Sequence, residues 1–217
     1  MSTFPGSPKL IKGGLVVVDP QTGAVGKIIP LQYNPDTLTR TFQIKGVGAE
    51  SGDRIEALRL KGPANETIKV EAEIDATDQL EIADSLVTQA GLHPLLAALE
   101  VLVNPRSDAL QANNQSASSG SLEIVAVEAP LTVFVFGPKR IVPVRITELT
   151  ITEEAFDTAL NPIRAKLSLG LRVLTIDDVG FDTKGGGLFI AYLKAKEQLA
   201  GQSAGGKFGN LGITGLP

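Results

Sequence analysis

His93 is the one histidine of this 217-residue chain, and it stands directly before Pro94, where a helix can open. It would have to be the base of any Ser-His relay, and a capping or surface role at a helix start is the plainer assignment. Carboxylates occur in pairs at Asp75 with Asp78, Glu153 with Glu154, and Asp177 with Asp178. A hard cation can bind such pairs, but none has the loop spacing of an EF-hand, so they read as solvated turns or interface charges. Two glycine clusters invite a phosphate reading. "GVGAESGD" (46–53) lacks the G-x-G-x-x-G spacing, and "GGKFGN" (205–210) lacks the strand before it and the Ser or Thr of a P-loop. Lys139, Arg140 and Arg145, with Arg164 and Lys166 on a neighbouring strand, could touch phosphates. Cross-strand pairing with Glu148, Glu153 or a neighbouring subunit accounts for them more simply. No catalytic, cofactor-binding or metal-ligating residue is assigned.

Composition narrows the classes further. An apolar content of 43% can fill a core, and a net charge of −4 with a sequence pI near 5.1 leaves no general electrostatic footprint for nucleic acid or anionic membranes. Zero cysteines exclude disulfides, thiolate catalysis and sulfur-based zinc sites. "MSTFPGSPKLIKGG" lacks an apolar stretch of signal-peptide length, and no window approaches the roughly 18 apolar residues of a membrane span. The expectation is a protein made soluble in the cytoplasm, with no cofactor, no nucleic acid and no direct membrane insertion.

The elements that would position these residues are mostly strands. "LVVVD" (15–19) and "KIIPLQY" (27–33) flank a Pro- and Gly-bearing turn and predict a β-hairpin. "NPDT" then predicts a turn, because Pro35 restricts Asn34 while Asn34 and Asp36 can bond their own backbone. "LTRTFQI" (38–44) resumes as a strand with Leu38, Phe42 and Ile44 on one face. Ile68, Val70, Ala72 and Ile74 alternate with Lys69, Glu71, Glu73 and Asp75, and Ala165 to Val173 alternates in the same way. Val142, Val144 and Ile146 share a phase that slips before Leu149 and Ile151, predicting a β-bulge near Thr147 and Glu148. "TVFVF" (132–136) is apolar on both faces and predicts a strand covered on both sides.

Residues 78–103 carry helical spacing, with a capping-box pattern at Asp78 and Glu81, a stop at Gly91 and a restart at His93 and Pro94. "NPRSDALQANNQSASSGS" (104–121) has almost no apolar anchor and reads as a mobile insertion loop or one ordered against another subunit. The expected organisation is a flexible N-terminus (1–13), a β domain (14–175) and a C-terminal region (176–217). That last region divides into a Gly-containing linker, a helix over 188–200 and a tail.

Taken in order, "LQYNPDTLTRTFQI", "IKVEAEID", a helix, "PLTVFVFG" and "VRITELTITEEAFDTALNPIRAKLSLGLRVL" resemble the tube-type domain of contractile injection systems and contractile phage tails. The resemblance is closest to the tube-initiator family, the adaptor between the spike hub or baseplate and the inner tube. It rests on Gln32, Tyr33, Asn34, Pro35 and Asp36 at the turn. Phe136 and Gly137 precede Arg145 to Phe156, and Pro162 to Leu174 supply the closing strand. The LysM module that many relatives carry has no counterpart after residue 175, so cell-wall binding is not implied.

The resemblance implies a mainly β (α+β) fold of two packed antiparallel sheets or a rolled barrel, with one flanking helical segment and a C-terminal helical extension. It implies a homo-oligomeric, hexameric ring that meets the inner tube protein, the spike hub and baseplate proteins, and acts by templating rather than by catalysis. The particle could be cytoplasmic, membrane-anchored or released. The alternative from the antiparallel pattern alone is a monomeric β-sandwich module that binds a ligand or carbohydrate. Only 5% aromatic residues and no tryptophan weaken that alternative.

Overall fold

The computed structural model describes residues 11–31, 33–46, 58–82, 84–118 and 129–216. Seven strands form one antiparallel sheet: β1 (Gly14–Val18), β2 (Val25–Pro30), β3 (Leu38–Gln43), β4 (Asn65–Asp75), β5 (Leu131–Val135), β6 (Ile141–Phe156) and β7 (Pro162–Val173). Their order is β2-β1-β5-β6-β7-β4-β3. Where two packed sheets or a rolled barrel were expected, the described residues form one continuous antiparallel sheet, with β2 and β3 at its ends. β7 joins β4 to β6 through long registers on both flanks.

Chain connectivity bends this sheet. Pro30 is level with Gly14, Val135 and Ile141, whereas Leu38 is level with Val70, Leu169 and Leu149. On a flat sheet the two residues would lie about 29 Å apart across the strands and about 23 Å along them, or about 37 Å in all. The connection between them, residues 31–37, reaches at most about 29 Å when fully extended, and it is bent. The two edges therefore curve toward one another.

Periodicity places the core. Ile68, Val70, Ala72 and Ile74 on β4 and Ala165, Leu167, Leu169, Leu171 and Val173 on β7 are all buried, while Lys69, Glu71 and Glu73 are exposed. Val142 and Val144 on β6 join the same cluster, with Ile146, Leu149 and Ile151 packed against it. The register of β6 against β7 shifts between Ile146 and Glu148, as the slip in apolar phase predicts. The Thr147 hydroxyl donates to the Gly170 carbonyl there at 3.1 Å. A Cβ on Gly170 would lie 3.0 Å from the Glu148 Cβ, so a small residue opposite the bulge keeps the strands paired. β5 is covered on both sides: Phe134 belongs to the main core, and Leu131 and Val133 to a second cluster with Val18.

The helices are α1 (Thr77–Glu81), α2 (Ser85–Ala90), α3 (His93–Glu100), α4 (Ser107–Ser118), α5 (Ile176–Val179) and α6 (Lys184–Gln202). The expected capping box at Asp78 and Glu81 is not what starts α1. Its N-cap is Ala76 with no side-chain cap bond, and Asp75 accepts from the Thr77 amide at 2.7 Å just ahead of it. Asp84 caps α2 by accepting from Leu86 and Val87, and Gly91 ends α2 at φ +53. The Leu92 amide then donates to the Pro162 carbonyl at 2.9 Å, which anchors the start of α3 at the base of β7.

Two further expectations change. The insertion read as a loop contains α4, a helix without a buried residue; Ala and Gln are good helix formers, and Asp108 lies in its first turn. The C-terminal helix begins at Lys184, inside the stretch read as a linker. Thr183 caps it by accepting from the Gly186 amide at 3.0 Å. A Cβ on Gly186 would lie 2.1 Å from the Gly180 carbonyl oxygen, so glycine admits the close packing of α5 against α6. The α5 start carries a complete capping box of Thr175 and Asp178. Of the expected flexible N-terminus, residues 1–10 lie outside the described residues, whereas Ile11 and Gly13 are bonded to Asn34. Among the described residues no helix is long and apolar enough to cross a membrane.

Candidate interaction surface

The "YNP" turn is where the chain crosses from one edge of the sheet to the other. The Asn34 Oδ1 accepts from the Gly13 amide at 3.0 Å, and its Nδ2 donates to the Ile11 carbonyl at 2.7 Å. One primary amide thus replaces two ladder bonds and ties the crossing to the lead-in of β1. Leu31 is buried just before it. Gln32 lies outside the described residues. On the far side of the turn, Tyr33 and Asp36 share an open groove of about 700 Å³ with Glu71 and Glu73 of β4, Lys166 and Ser168 of β7, and Thr150 and Thr152 of β6. These outward residues fall into rows, Glu71–Ser168–Thr150 and Glu73–Lys166–Thr152, because the three strands are in direct register.

Charge along this polar face is mostly paired. Lys166 meets Glu154 at 2.8 Å, and Arg164 meets Asp75 at 2.9 Å and Glu73 at 3.8 Å. Cross-strand pairing accounts for both cations as expected, although through Glu154 and Asp75 rather than Glu148 and Glu153. Arg140 lies over the Phe136 ring at 5.6 Å. The three carboxylate pairs separate into individual duties. Asp75 holds Arg164 and Thr77; Asp177 holds Lys45 at 2.9 Å; Asp178 caps α5 and pairs with Arg172. His93 is exposed in the first turn of α3. Among the described residues no three His, Asp or Glu side chains gather to hold a metal ion. Most of "GVGAESGD" lies outside the described residues, and "GGKFGN" runs into an exposed 3₁₀ turn, Phe208–Leu211.

Sequence reasoning misses one cluster. The apolar stripe of β4 continues one step upstream to Glu66, which is only 3% exposed. Arg40 on β3 meets it at 2.6 Å, Lys196 on α6 at 2.8 Å, and the Tyr192 hydroxyl donates to it at 3.1 Å. Burial pushes the Glu66 carboxyl up, but the hydrogen bonds from Arg40 and Lys196 outweigh it and hold the group below its ordinary value. Burial, and then the charge of Glu66, push the Tyr192 phenol up to about 12. Arg40 and Lys196 also lie over the Phe42 ring, at 4.8 and 5.2 Å. The signal available in the sequence is the i, i+4 pair Tyr192 and Lys196 together with a charge, Glu66, in phase with Ile68 and Val70.

Edges complete the surface. β2 exposes Val25 and Ile28, and β3 exposes Phe42 with Ile44 just beyond it; each borders only one described strand. At the β6–β7 turn, Ala155 and Leu160 adopt positive φ of 52° and 64°, and Leu160 and Phe156 face solvent. Exposed apolar residues on end strands and at a turn tip are surface against which another chain can pack. No family model and no curated protein matches the chain.

Proposed function

We propose that this chain is a structural assembly protein of a contractile injection system. In this reading it forms a hexameric ring that joins the spike hub or baseplate to the inner tube and templates tube polymerisation, making and breaking no bond. The observation that carries the reading is a curved seven-stranded sheet whose terminal strands, β2 and β3, both have a free flank among the described residues. A heterologous contact repeated around a closed ring would cover both edges in every copy, which an isolated monomer leaves open. The tail-tube type of fold belongs to the same proposal. It is supported by the order of the turn, the bulged β6 and the closing β7 along the chain.

Mass photometry and cryo-electron microscopy of the purified chain, alone and with hub protein, test the proposal. Six-fold rings are expected. A strict monomer that fails to enter particles overturns it.

The groove beside Tyr33 favours one second reading, a monomeric ligand-binding module. A thermal-shift screen that yields a saturable ligand on a chain that stays monomeric would select that reading. Loss of the shift in Tyr33→Ala would place the ligand in the groove.

A further inference from the structure

A second, smaller cleft of about 110 Å³ lies between the three short helices and the end of β4. Ile74, Ala76, Val87, Leu92 and Leu95 line it, and Leu86 stands at its rim with 60% of its surface exposed. Its walls are almost wholly apolar except for Gln79, whose buried Oε1 has no hydrogen-bond partner. An orphan acceptor in an apolar cleft asks for an occupant that brings both an apolar side chain and an N–H, which is the chemistry of a peptide segment.

The chain itself carries such a segment. After α6, residues 203–216 are exposed throughout, and Phe208, Leu211, Ile213 and Leu216 follow a spacer rich in Gly and Ser. Charge matches as well. Residues 198–217 carry Lys207 and no acidic residue. Glu81 and Asp84 are exposed beside the cleft.

The helix that leads into this segment and the cleft lie at opposite ends of one strand. Lys196 fastens the last turns of α6 to Glu66 at the start of β4, whereas Ile74 and Ala76 line the cleft at its end, about 26 Å away along the strand. A donor at one end of a molecule and its acceptor at the other is the arrangement of head-to-tail association. We infer that the C-terminal segment around Phe208 and Leu211 of one copy docks into the α1–α3 cleft of a second copy. There an apolar side chain fills the cleft and a backbone N–H reaches the Gln79 Oε1. This goes beyond the ring reading and does not depend on it.

The test is photo-cross-linking of the full chain with benzoylphenylalanine in place of Leu211. Isotopically heavy and light chains are mixed, and mass photometry of the same sample follows ring formation. Cross-links from position 211 to the 79–95 peptide that join heavy to light chains are expected. They should fall at least fivefold in Leu86→Trp, which fills the cleft from an exposed position, and in Phe208→Asp, which alters only an exposed side chain. Cross-links that stay within one chain, or that land elsewhere, overturn the inference. Rings without the cross-link overturn it and leave the ring reading standing; the cross-link in a chain that never forms rings supports it and overturns the ring reading.

Discussion

Glu66 receives two cations and a phenol on the core face of β4, and their unequal exposure sets what each is worth. The carboxylate is buried, while Arg40 and Lys196 keep 27% and 33% of their side-chain surface in water. Removing the carboxylate charge should therefore cost less than breaking a fully buried pair. Glu66→Gln is expected to destabilise the chain by about 1–3 kcal/mol, because Arg40 and Lys196 then confront each other over Phe42 with solvent as their only relief. Denaturant midpoints measure it, and Lys196→Met should cost less, since Arg40 still answers Glu66. The pH dependence follows from the directions of the shifts. Glu66 titrates lower in the folded chain than in the unfolded one, so its contribution is complete above the unfolded value of about 4.3 and is lost as pH falls through the lower folded value. Thermal midpoints of the parent and of Glu66→Gln should converge as pH falls from 7 toward 3. Tyr192 acts in the opposite direction: its neutral form is favoured up to about 12, so its contribution holds below the unfolded value near 10 and fades as pH rises through the folded one.

Connections rather than strands carry the vulnerable positions at the scale of elements. The crossing at 31–37 joins the two sheet edges, and Asn34 is its only side-chain tie to the start of β1 among the described residues. Asn34→Ala removes both bonds and should cost about 1–2 kcal/mol. Hydrogen exchange should show the Gly13 amide losing protection before the amides of β4 and β7, since these lie inside ladders on both flanks. Gly91 is more constrained. Its φ of +53 and the 2.5 Å that would separate a Cβ from the Pro162 carbonyl both exclude a side chain. Gly91→Ala should therefore destabilise by more than the roughly 1 kcal/mol of a purely conformational penalty and shift α3 off the base of β7. A fall in thermal midpoint larger than that of Gly187→Ala, where a Cβ meets nothing, would show it.

The whole molecule is a curved sheet with one helical group at the foot of β4 and β7 and a long helix, α6, at the other end. α6 runs from Leu131 on β5, near Gly185, to Glu66 on β4, so the C-terminal helix closes over several strands rather than extending away from the domain. The ring proposal makes its prediction at this scale. A charge placed in the exposed flank of β2, Ile28→Glu, should leave the fold intact, because Ile28 is 63% exposed, and should shift mass-photometry peaks from rings to single copies. Unchanged ring populations in that variant would argue that β2 is not part of the contact.

What the sequence determined by itself was whatever depends on near neighbours along the chain. Alternation in β4 and β7 marked their buried faces, the phase slip marked the bulge at Thr147, and Gly91 marked the end of α2, because period and backbone conformation are local properties. Only the tertiary structure decided the rest. It made one sheet with β2 and β3 at opposite ends, a register that sequence periodicity cannot choose because either partner satisfies the same alternation. It turned the Gly-rich linker into the start of α6, because the packing of Gly186 on Gly180 is invisible until both are placed. It also brought Arg40, Glu66, Tyr192 and Lys196 together, with Arg40 bonded to Tyr192 across 152 residues, where the attraction of opposite charges under partial burial, and not any local pattern, selects the partners.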